Sequence, residues 1–245
     1  GPFEPQMAAH AFGELRDGLL AQQVVVEEGA AVALPVAIPF EQAACLPCVG
    51  VTAWNALFGT GSLRPGQTVL ATGTGNVSLT AILLARAAGA RVGVTSSDDG
   101  KLDRARALGA HFGVNYRHRK DWAAAVREAT NGRGADVVLE NAGPPSIAES
   151  VRATARGGRV VQIGWKGMQG PPINVLELAL GDVSVRPVMV GPRRMLEALV
   201  AAVALHDIRI PIHESYDFDD ARQAFEAQAA GPFGKVVITH SGASS

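Results

Sequence analysis

The sequence predicts an α/β fold in which helices cover both faces of a doubly wound parallel sheet. From Thr68 onward, short runs rich in β-branched residues alternate with Ala- and Leu-rich segments of helical spacing. Several helical segments are followed by a glycine, as expected of a helix C-terminus. With 245 residues, 47% of them hydrophobic and 18% charged, the chain has enough apolar material for one large domain or two small ones.

The elements follow in order along the chain. Strands are predicted at Thr68–Ala71, Arg91–Thr95, His111–Asn115, Asp136–Glu140, Arg159–Ile163 and Val183–Val190. Helices are predicted at Val77–Ala88, Lys101–Leu108, Trp122–Thr130, Pro145–Thr154 and Pro192–Leu205. Upstream, we expect strands at Gln22–Val26 and Ala31–Val36 and a long apolar helix over Phe40–Phe58. Downstream, Asp219–Ala229 predicts a capped helix that leads into a closing strand at Lys235–Thr239.

The charge balance argues against several classes of partner. The chain has 22 Lys and Arg against 23 Asp and Glu, a net charge of −1, so it offers no basic field to nucleic acid or to an anionic membrane surface. Its most apolar helical stretch, Met195–Leu205, is much shorter than the ~20 residues of a bilayer span. The sequence has no secretory signal pattern, and 2 cysteines cannot form a disulfide framework. We therefore expect a cytoplasmic protein without nucleic-acid or membrane partners.

A glycine-containing turn follows the first strand of the predicted sheet. Gly73 and Gly75 lie between the strand Thr68–Ala71 and the helix that begins near Val77. In such a unit the first glycine permits a tight turn, and the second lets the backbone approach a pyrophosphate bound by the amides of the helix start. The second strand ends about 20 residues later, as in a Rossmann fold. We favour a dinucleotide-binding loop, with a purely structural turn as the alternative.

Several motifs in a fixed order resemble one family. They are Gly18–Ala21, Val24–Val26, Ala44–Cys48, Thr52–Phe58, Leu63–Gly66, Gly73–Leu79 and Phe233–Val237. Together they resemble the zinc-independent, quinone-reductase-like or alcohol-dehydrogenase-like branch of the medium-chain dehydrogenases/reductases. The resemblance implies a nicotinamide-binding sheet domain, a GroES-like barrel domain that carries most of the substrate pocket, and a homodimer formed through the sheet edge. It further implies hydride transfer to a small-molecule substrate: a quinone, an enone or a small carbonyl compound.

The resemblance begins where the barrel domain of the family is nearly complete. Roughly a hundred residues, the size of a domain, would precede Asp17 in such a relative. We therefore expect residues 1–39 to be a remnant of the GroES-like domain, 40–210 to be the dinucleotide-binding domain, and 211–245 to return to the small domain. The alternative to a reductase is a truncated, non-redox homologue that uses the sheet as a nucleotide-binding or interaction module, or a repurposed enzyme.

The end of the second strand bears on the choice between NADP and NAD. A carboxylate there accepts the ribose 2′-hydroxyl of NAD but repels the 2′-phosphate of NADP. Ser96 and Ser97, with Lys101 one helical turn further on, suit a phosphate. Two acidic residues lie close by. We interpret Asp99 as a helix cap, whereas Asp98 departs from the pattern of the related reductases and adds negative charge beside the expected phosphate. We favour NADP, and NAD is the alternative.

Further candidate residues for cofactor binding lie along the same edge of the predicted sheet. Asn76 stands where relatives usually carry another glycine, so its amide lies near the expected pyrophosphate, and Val77 follows it. The resemblance places Tyr116 near the adenosine. The remaining candidates are Thr52, Asn141, Gly164, Trp165, Val190 and Lys235. No catalytic side chain is assigned, because in this family the cofactor supplies the hydride and the protein orients it.

The two cysteines have the spacing of a zinc or redox pair. Cys45 and Cys48 are separated by two residues, but no second pair exists, and the 6 histidines are scattered along the chain. We therefore interpret them as thiols packed at the start of an apolar helix. The sequence predicts no metal site.

Overall fold

The largest feature of the computed structural model is a 6-stranded parallel sheet; the structure describes residues 11–240 except 14, 166 and 168. The strand order is β3-β2-β1-β4-β5-β6, in which the chain winds outward from β1 in both directions. The strands are β1 (Thr68–Ala71), β2 (Arg91–Ser96), β3 (Phe112–Asn115), β4 (Ala135–Glu140), β5 (Thr154–Gln162) and β6 (Ser184–Pro187). The predicted doubly wound sheet is confirmed.

Helices pack on both faces of this sheet. The helices of the described chain are α1 (Phe40–Ala43), α2 (Val51–Trp54), α3 (Asn76–Ala87), α4 (Asp99–Ala107), α5 (Trp122–Ala129), α6 (Ile147–Ala153), α7 (Val175–Gly181), α8 (Arg193–Leu205) and α9 (Ala221–Ala229), of which α9 packs on the separate strand pair near the end of the chain. Val69 and Leu139 belong to a core shared with α3 and α8. Leu70 and Val138 belong to a second core shared with α5 and α6. Neighbouring residues of a strand point to opposite faces, so the sheet lies between two cores.

The carboxyl ends of the central strands meet at one edge of the sheet. Ala71 of β1 pairs with Val94 of β2 and with Leu139 of β4. Glu140, the last residue of β4, pairs with Gln162 at the end of β5. The loops that follow these strands are therefore neighbours, which is where open parallel sheets bind ligands.

The segment that precedes the sheet differs from the prediction. The strands expected at Gln22–Val26 and Ala31–Val36 are wrong, because this part of the chain is irregular apart from a 3₁₀ turn at Glu28–Ala30. Val25 and Val36 are 95% and 104% exposed. A β-strand is stable only when a neighbouring strand satisfies its backbone groups, and within the described residues this segment has none.

The single helix predicted for Phe40–Phe58 is also wrong. The segment contains α1, then a break at Pro47 and Cys48, then α2 and a π-helical turn at Asn55–Gly59. Pro47 has an extended backbone and Cys48 has a φ of 56°. Proline cannot donate an amide inside a helix and its ring clashes with the preceding turn, so the helix is interrupted there.

A separate parallel pair of strands lies near the end of the chain. It consists of β7 (Ile212–Asp217) and β8 (Lys235–Thr239), joined by α9. The closing strand is confirmed, whereas the sequence does not predict β7 or α7.

The domain boundaries at 1–39, 40–210 and 211–245, including the barrel remnant, stay a prediction, and residues 1–10 and 241–245 lie outside the described part. No helix among the described residues is long and apolar enough to cross a bilayer.

Candidate dinucleotide site

The loop between β1 and α3 lies at the switch point of the sheet, where β1 is flanked by β2 and β4. Gly73 has a φ of 78°, a conformation that glycine adopts without strain, so it permits the turn as predicted. Gly75 directly precedes α3 and has an extended backbone. No side chain caps α3, whose first residues are Asn76 and Val77. The first amides of this 12-residue helix therefore remain available to an anion.

The space beside this loop fits a pyrophosphate. A Cβ atom added to Gly73 or to Gly75 would meet no other atom within 4 Å. This open surface adjoins the helix end that carries a partial positive charge. A pyrophosphate needs both features, close access to the backbone and unpaired amide donors, and the residues present supply them.

Hydrogen bonds hold the loop from both sides. On the β2 side, the Gly73 amide donates to Thr95 Oγ1 over 3.1 Å, and the hydroxyls of Thr74 and Ser96 lie 3.2 Å apart. On the β4 side, the amide of Thr72 donates to the carbonyl of Leu139 over 3.0 Å. The loop is thus fixed before any ligand binds, which lowers the entropic cost of binding.

Glu140 is a buried carboxylate that organises the neighbouring loop. Its side chain is fully buried at the end of β4. Oε1 accepts the amides of Ala142 (2.8 Å) and Gly143 (3.0 Å) and the hydroxyl of Ser146 (2.7 Å). Oε2 accepts the hydroxyl of Ser150. The sequence alone indicates no role for Glu140, although an acidic residue that ends a buried apolar strand is an unusual pattern.

Glu140 also connects this loop to the dinucleotide loop. Thr72 Oγ1 lies 3.3 Å from Glu140 Oε1 and 3.1 Å from the carbonyl of Leu139. The same hydroxyl oxygen accepts the amide of Asn141 over 2.8 Å. The ends of β1 and β4 therefore share one hydrogen-bond network.

The predicted residues Asn141 and Gly164 lie together beside the dinucleotide loop. Asn141 Nδ2 lies within hydrogen-bond distance of the Thr72 carbonyl (3.3 Å) and Ser78 Oγ (3.1 Å). A Cβ added to Gly164 would collide with the backbone of Asn141, so glycine is required for this close approach. Trp165 follows and is 58% exposed. The ends of β4 and β5 thus form one wall beside the loop.

The acidic pair after β2 has roles that differ from those expected. Asp98, not Asp99, caps α4: its carboxylate accepts the amide of Lys101 over 2.7 Å. Asp99 lies in the first turn of the helix and accepts Asn115 Nδ2 over 2.8 Å. The interpretation of Asp99 as the cap is wrong by one position, because Asp98 has the extended backbone that an N-cap requires.

The candidates for a 2′-phosphate site, Ser96, Ser97 and Lys101, and the adenosine candidate Tyr116 differ in exposure. Ser96 is only 3% exposed and accepts the amide of Asp98, whereas Ser97 is half-buried. The ammonium group of Lys101 donates to the carbonyl of Gly231 over 2.8 Å. The amide of Tyr116 donates to the Ser96 carbonyl over 3.1 Å, and its side chain is exposed. Ser97, Lys101 and Tyr116 are therefore the accessible members of this group.

The remaining candidates lie on other elements. Thr52 of α2 is buried and donates its hydroxyl to the carbonyl of Cys48 over 2.5 Å. Val190 lies after β6 with a φ of 47°, and its carbonyl accepts a hydrogen bond from Asn55. Lys235 begins β8 in the two-stranded sheet and pairs with Ile212. Thr52 and Val190 thus flank the six-stranded sheet, whereas Lys235 belongs to the second one.

The two cysteines have different surroundings. Cys45 is fully buried and donates its thiol to the carbonyl of Glu41 over 3.2 Å. Burial raises the pKa of this thiol, and the charge of Lys235 opposes the rise. Cys48 is exposed. In the part of the chain that the structure describes, no group of three His, Cys, Asp or Glu side chains is arranged to hold a metal ion, so these residues do not fit a zinc site.

Known proteins are similar to this chain in sequence. A family model described as zinc-binding dehydrogenase matches residues 76–204, more than half of the chain. A zinc-type alcohol dehydrogenase-like protein of Schizosaccharomyces pombe is 36% identical over 236 residues, which cover 93% of this chain and 68% of that protein.

Solved structures are similar to this chain in both fold and sequence. A candidate alcohol dehydrogenase from Sinorhizobium meliloti 1021 is 42% identical with a TM-score of 0.88, over 93% of this chain and 66% of that one. A quinone oxidoreductase of Pseudomonas syringae pv. Tomato DC3000 is 29% identical with a TM-score of 0.78, over 91% of this chain and 72% of that one. The chain spans about two thirds of the length of these relatives. The chain therefore belongs to the zinc-binding dehydrogenase family of the medium-chain dehydrogenase/reductase superfamily.

Proposed function

We propose that the protein is an NADP(H)-binding oxidoreductase of the zinc-independent type, which transfers hydride to a quinone, an enone or a small carbonyl compound. The observation that carries the proposal is the open space at Gly73 and Gly75 beside the uncapped start of α3. The similarity to a quinone oxidoreductase supports the substrate class.

In this proposal each part of the site has a physical role. The amides at the start of α3 bind the pyrophosphate, and the network around Thr72 and Glu140 keeps the loop in place. Asn141 and Gly164 form the sheet side of the nicotinamide cleft, and Trp165 shields it from water. The cofactor supplies the hydride. The protein contributes binding, orientation and exclusion of water.

We expect Lys101→Ala to weaken NADPH binding by roughly 1–3 kcal/mol and to leave NADH binding nearly unchanged. Lys101 is held near the end of β2 by the neutral carbonyl of Gly231. A charge-assisted bond to a 2′-phosphate is stronger, so the ammonium group would exchange partners. Arg106→Ala is the control, because Arg106 is a cation of the same helix that pairs with Asp103. Equal losses for both cofactors in a calorimetric titration would contradict the preference for NADP.

The reductase function is tested by measuring NADPH binding and NADPH oxidation on one preparation. A panel of quinones, enones and small aldehydes serves as the acceptors. The proposal predicts oxidation that depends on the acceptor. NADPH binding without acceptor-dependent oxidation would instead favour the non-redox nucleotide-binding module.

We propose in addition that the protein forms a homodimer through β6. This strand is the edge of the six-stranded sheet, and an unpaired edge invites pairing with its twin across a two-fold axis. The adjacent helix α7 exposes Val175, Leu176 and Leu180. Light scattering at tens of micromolar should give the mass of a dimer, and Leu176→Asp with Leu180→Asp should lower that mass. A monomeric mass for the unmodified chain would refute the dimer.

A further inference from the structure

The first half of α4 contacts the loop that joins α9 to β8. The ammonium group of Lys101 donates to the carbonyl of Gly231 over 2.8 Å, although 130 positions separate the two residues. Nearly one helical turn further along α4, the guanidinium carbon of Arg104 lies 4.1 Å from the centre of the Phe233 ring, within the range of a cation–π contact. Two cations of one helix therefore hold the same loop, each at a different residue.

The two contacts differ in what else holds the loop. The Phe233 ring is buried in the core that α3 and α8 share, so packing fixes this end of the loop whether or not Arg104 is present. Gly231 has no side chain to pack. Within the described part of the chain, its carbonyl accepts a hydrogen bond only from Lys101. The Lys101 contact can therefore be withdrawn without unpacking the core.

Lys101 is also the cation that our proposed function assigns to a 2′-phosphate. A phosphate monoester carries about −1.5 to −2 charges at neutral pH, whereas the carbonyl of Gly231 is neutral. A hydrogen bond between two charged groups is stronger than one to a neutral acceptor. The two acceptors therefore compete for one ammonium group, and the phosphate is the stronger competitor.

We propose that Lys101 is a latch, a contact that fixes the end of α9 until a 2′-phosphate withdraws it. With no phosphate bound, Lys101 holds Gly231 and the end of α9 is closed. When the phosphate takes the ammonium group, the end of α9 loosens, while the buried Phe233 keeps β8 in place. This inference rests on the proposed NADP(H) function. It adds a response of the second sheet region that NADPH elicits and NADH does not.

Amide hydrogen exchange, resolved by residue with NMR spectroscopy, measures the state of this latch. The amides of Ala230 and Gly231 report on the end of α9, because both donate to carbonyls of that helix. The amide of Lys235 donates to the carbonyl of Pro211 over 2.8 Å and serves as the internal reference for β8. We expect saturating NADPH to accelerate exchange at Ala230 and Gly231 about fivefold, equivalent to ~1 kcal/mol, and saturating NADH to leave it unchanged.

Lys101→Met tests the latch without any dinucleotide. Methionine has a similar length but no donor, so exchange at Ala230 and Gly231 in the unliganded variant should already be about fivefold faster, with no further increase on addition of NADPH. The matched control is Lys120→Met, which removes an exposed lysine outside α4. Its exchange should equal that of the unmodified chain.

The outcomes separate this inference from the proposed function. Unchanged or slower exchange at Ala230 and Gly231 in Lys101→Met, an equal response to NADPH and NADH, or equal acceleration at Lys235 would overturn the latch while the dinucleotide function stands. Binding of NADH alone would overturn the latch together with the preference for NADP. If calorimetric titration detects binding of neither dinucleotide, the proposed function itself is overturned.

Discussion

Gly75→Val is expected to weaken NADPH binding at least about a hundredfold, equivalent to ~2.7 kcal/mol, while the fold stays intact. Gly75 has an extended backbone that valine can adopt, and a Cβ there meets no protein atom within 4 Å. The fold should therefore tolerate the substitution. In our account a pyrophosphate fills that same space, so the valine side chain excludes it. Calorimetric titration measures the binding, and thermal unfolding verifies the fold.

A matched control is available at Gly29. A Cβ there also meets nothing within 4 Å, and the residue lies in the irregular segment that precedes the sheet. Gly29→Val should bind NADPH like the unmodified chain. Undiminished NADPH binding by Gly75→Val would show that the dinucleotide does not lie against this loop.

Glu140→Leu is expected to lower the free energy of unfolding by about 3 kcal/mol or more. The buried carboxylate accepts hydrogen bonds from backbone amides and from the hydroxyls of Ser146 and Ser150. Leucine removes the acceptor and leaves these donors in an environment of low polarity without partners. Urea denaturation measures the loss.

Glu128→Leu is the control for this prediction. Glu128 is exposed and pairs with Arg119 at the surface, where removal of an ion pair costs about 1 kcal/mol or less. A loss below ~1 kcal/mol for Glu140→Leu as well would contradict the role given to the Glu140 network.

The six-stranded sheet could be predicted because its signals are local. Buried parallel strands are continuous runs of β-branched residues, and β1 and β4 are buried along their whole length. Glycines close the helices between them: Gly89 and Gly109 have φ values of 74° and 111°. The glycine loop has an equally local signal, since Gly73 adopts the positive φ that its turn requires.

Elements that depend on distant partners could not be predicted in this way. The pattern of Gln22–Val36 is that of strands, but a strand forms only where a neighbour pairs with it. Glu140 and Asn55 form hydrogen bonds with residues far along the chain, Thr72 and Val190. Composition and spacing do not encode such contacts. The capping role of Asp98 was missed for a smaller reason, a shift of one residue at a helix end.

The central claim is that a nicotinamide dinucleotide binds at the loop between β1 and α3. Calorimetric titration of the unmodified chain with NADPH and with NADH tests it most directly. We expect one NADPH to bind per chain with a dissociation constant of about micromolar, equivalent to a binding free energy near −8 kcal/mol, and NADH to bind more weakly. The absence of binding by either dinucleotide at millimolar concentrations would contradict it.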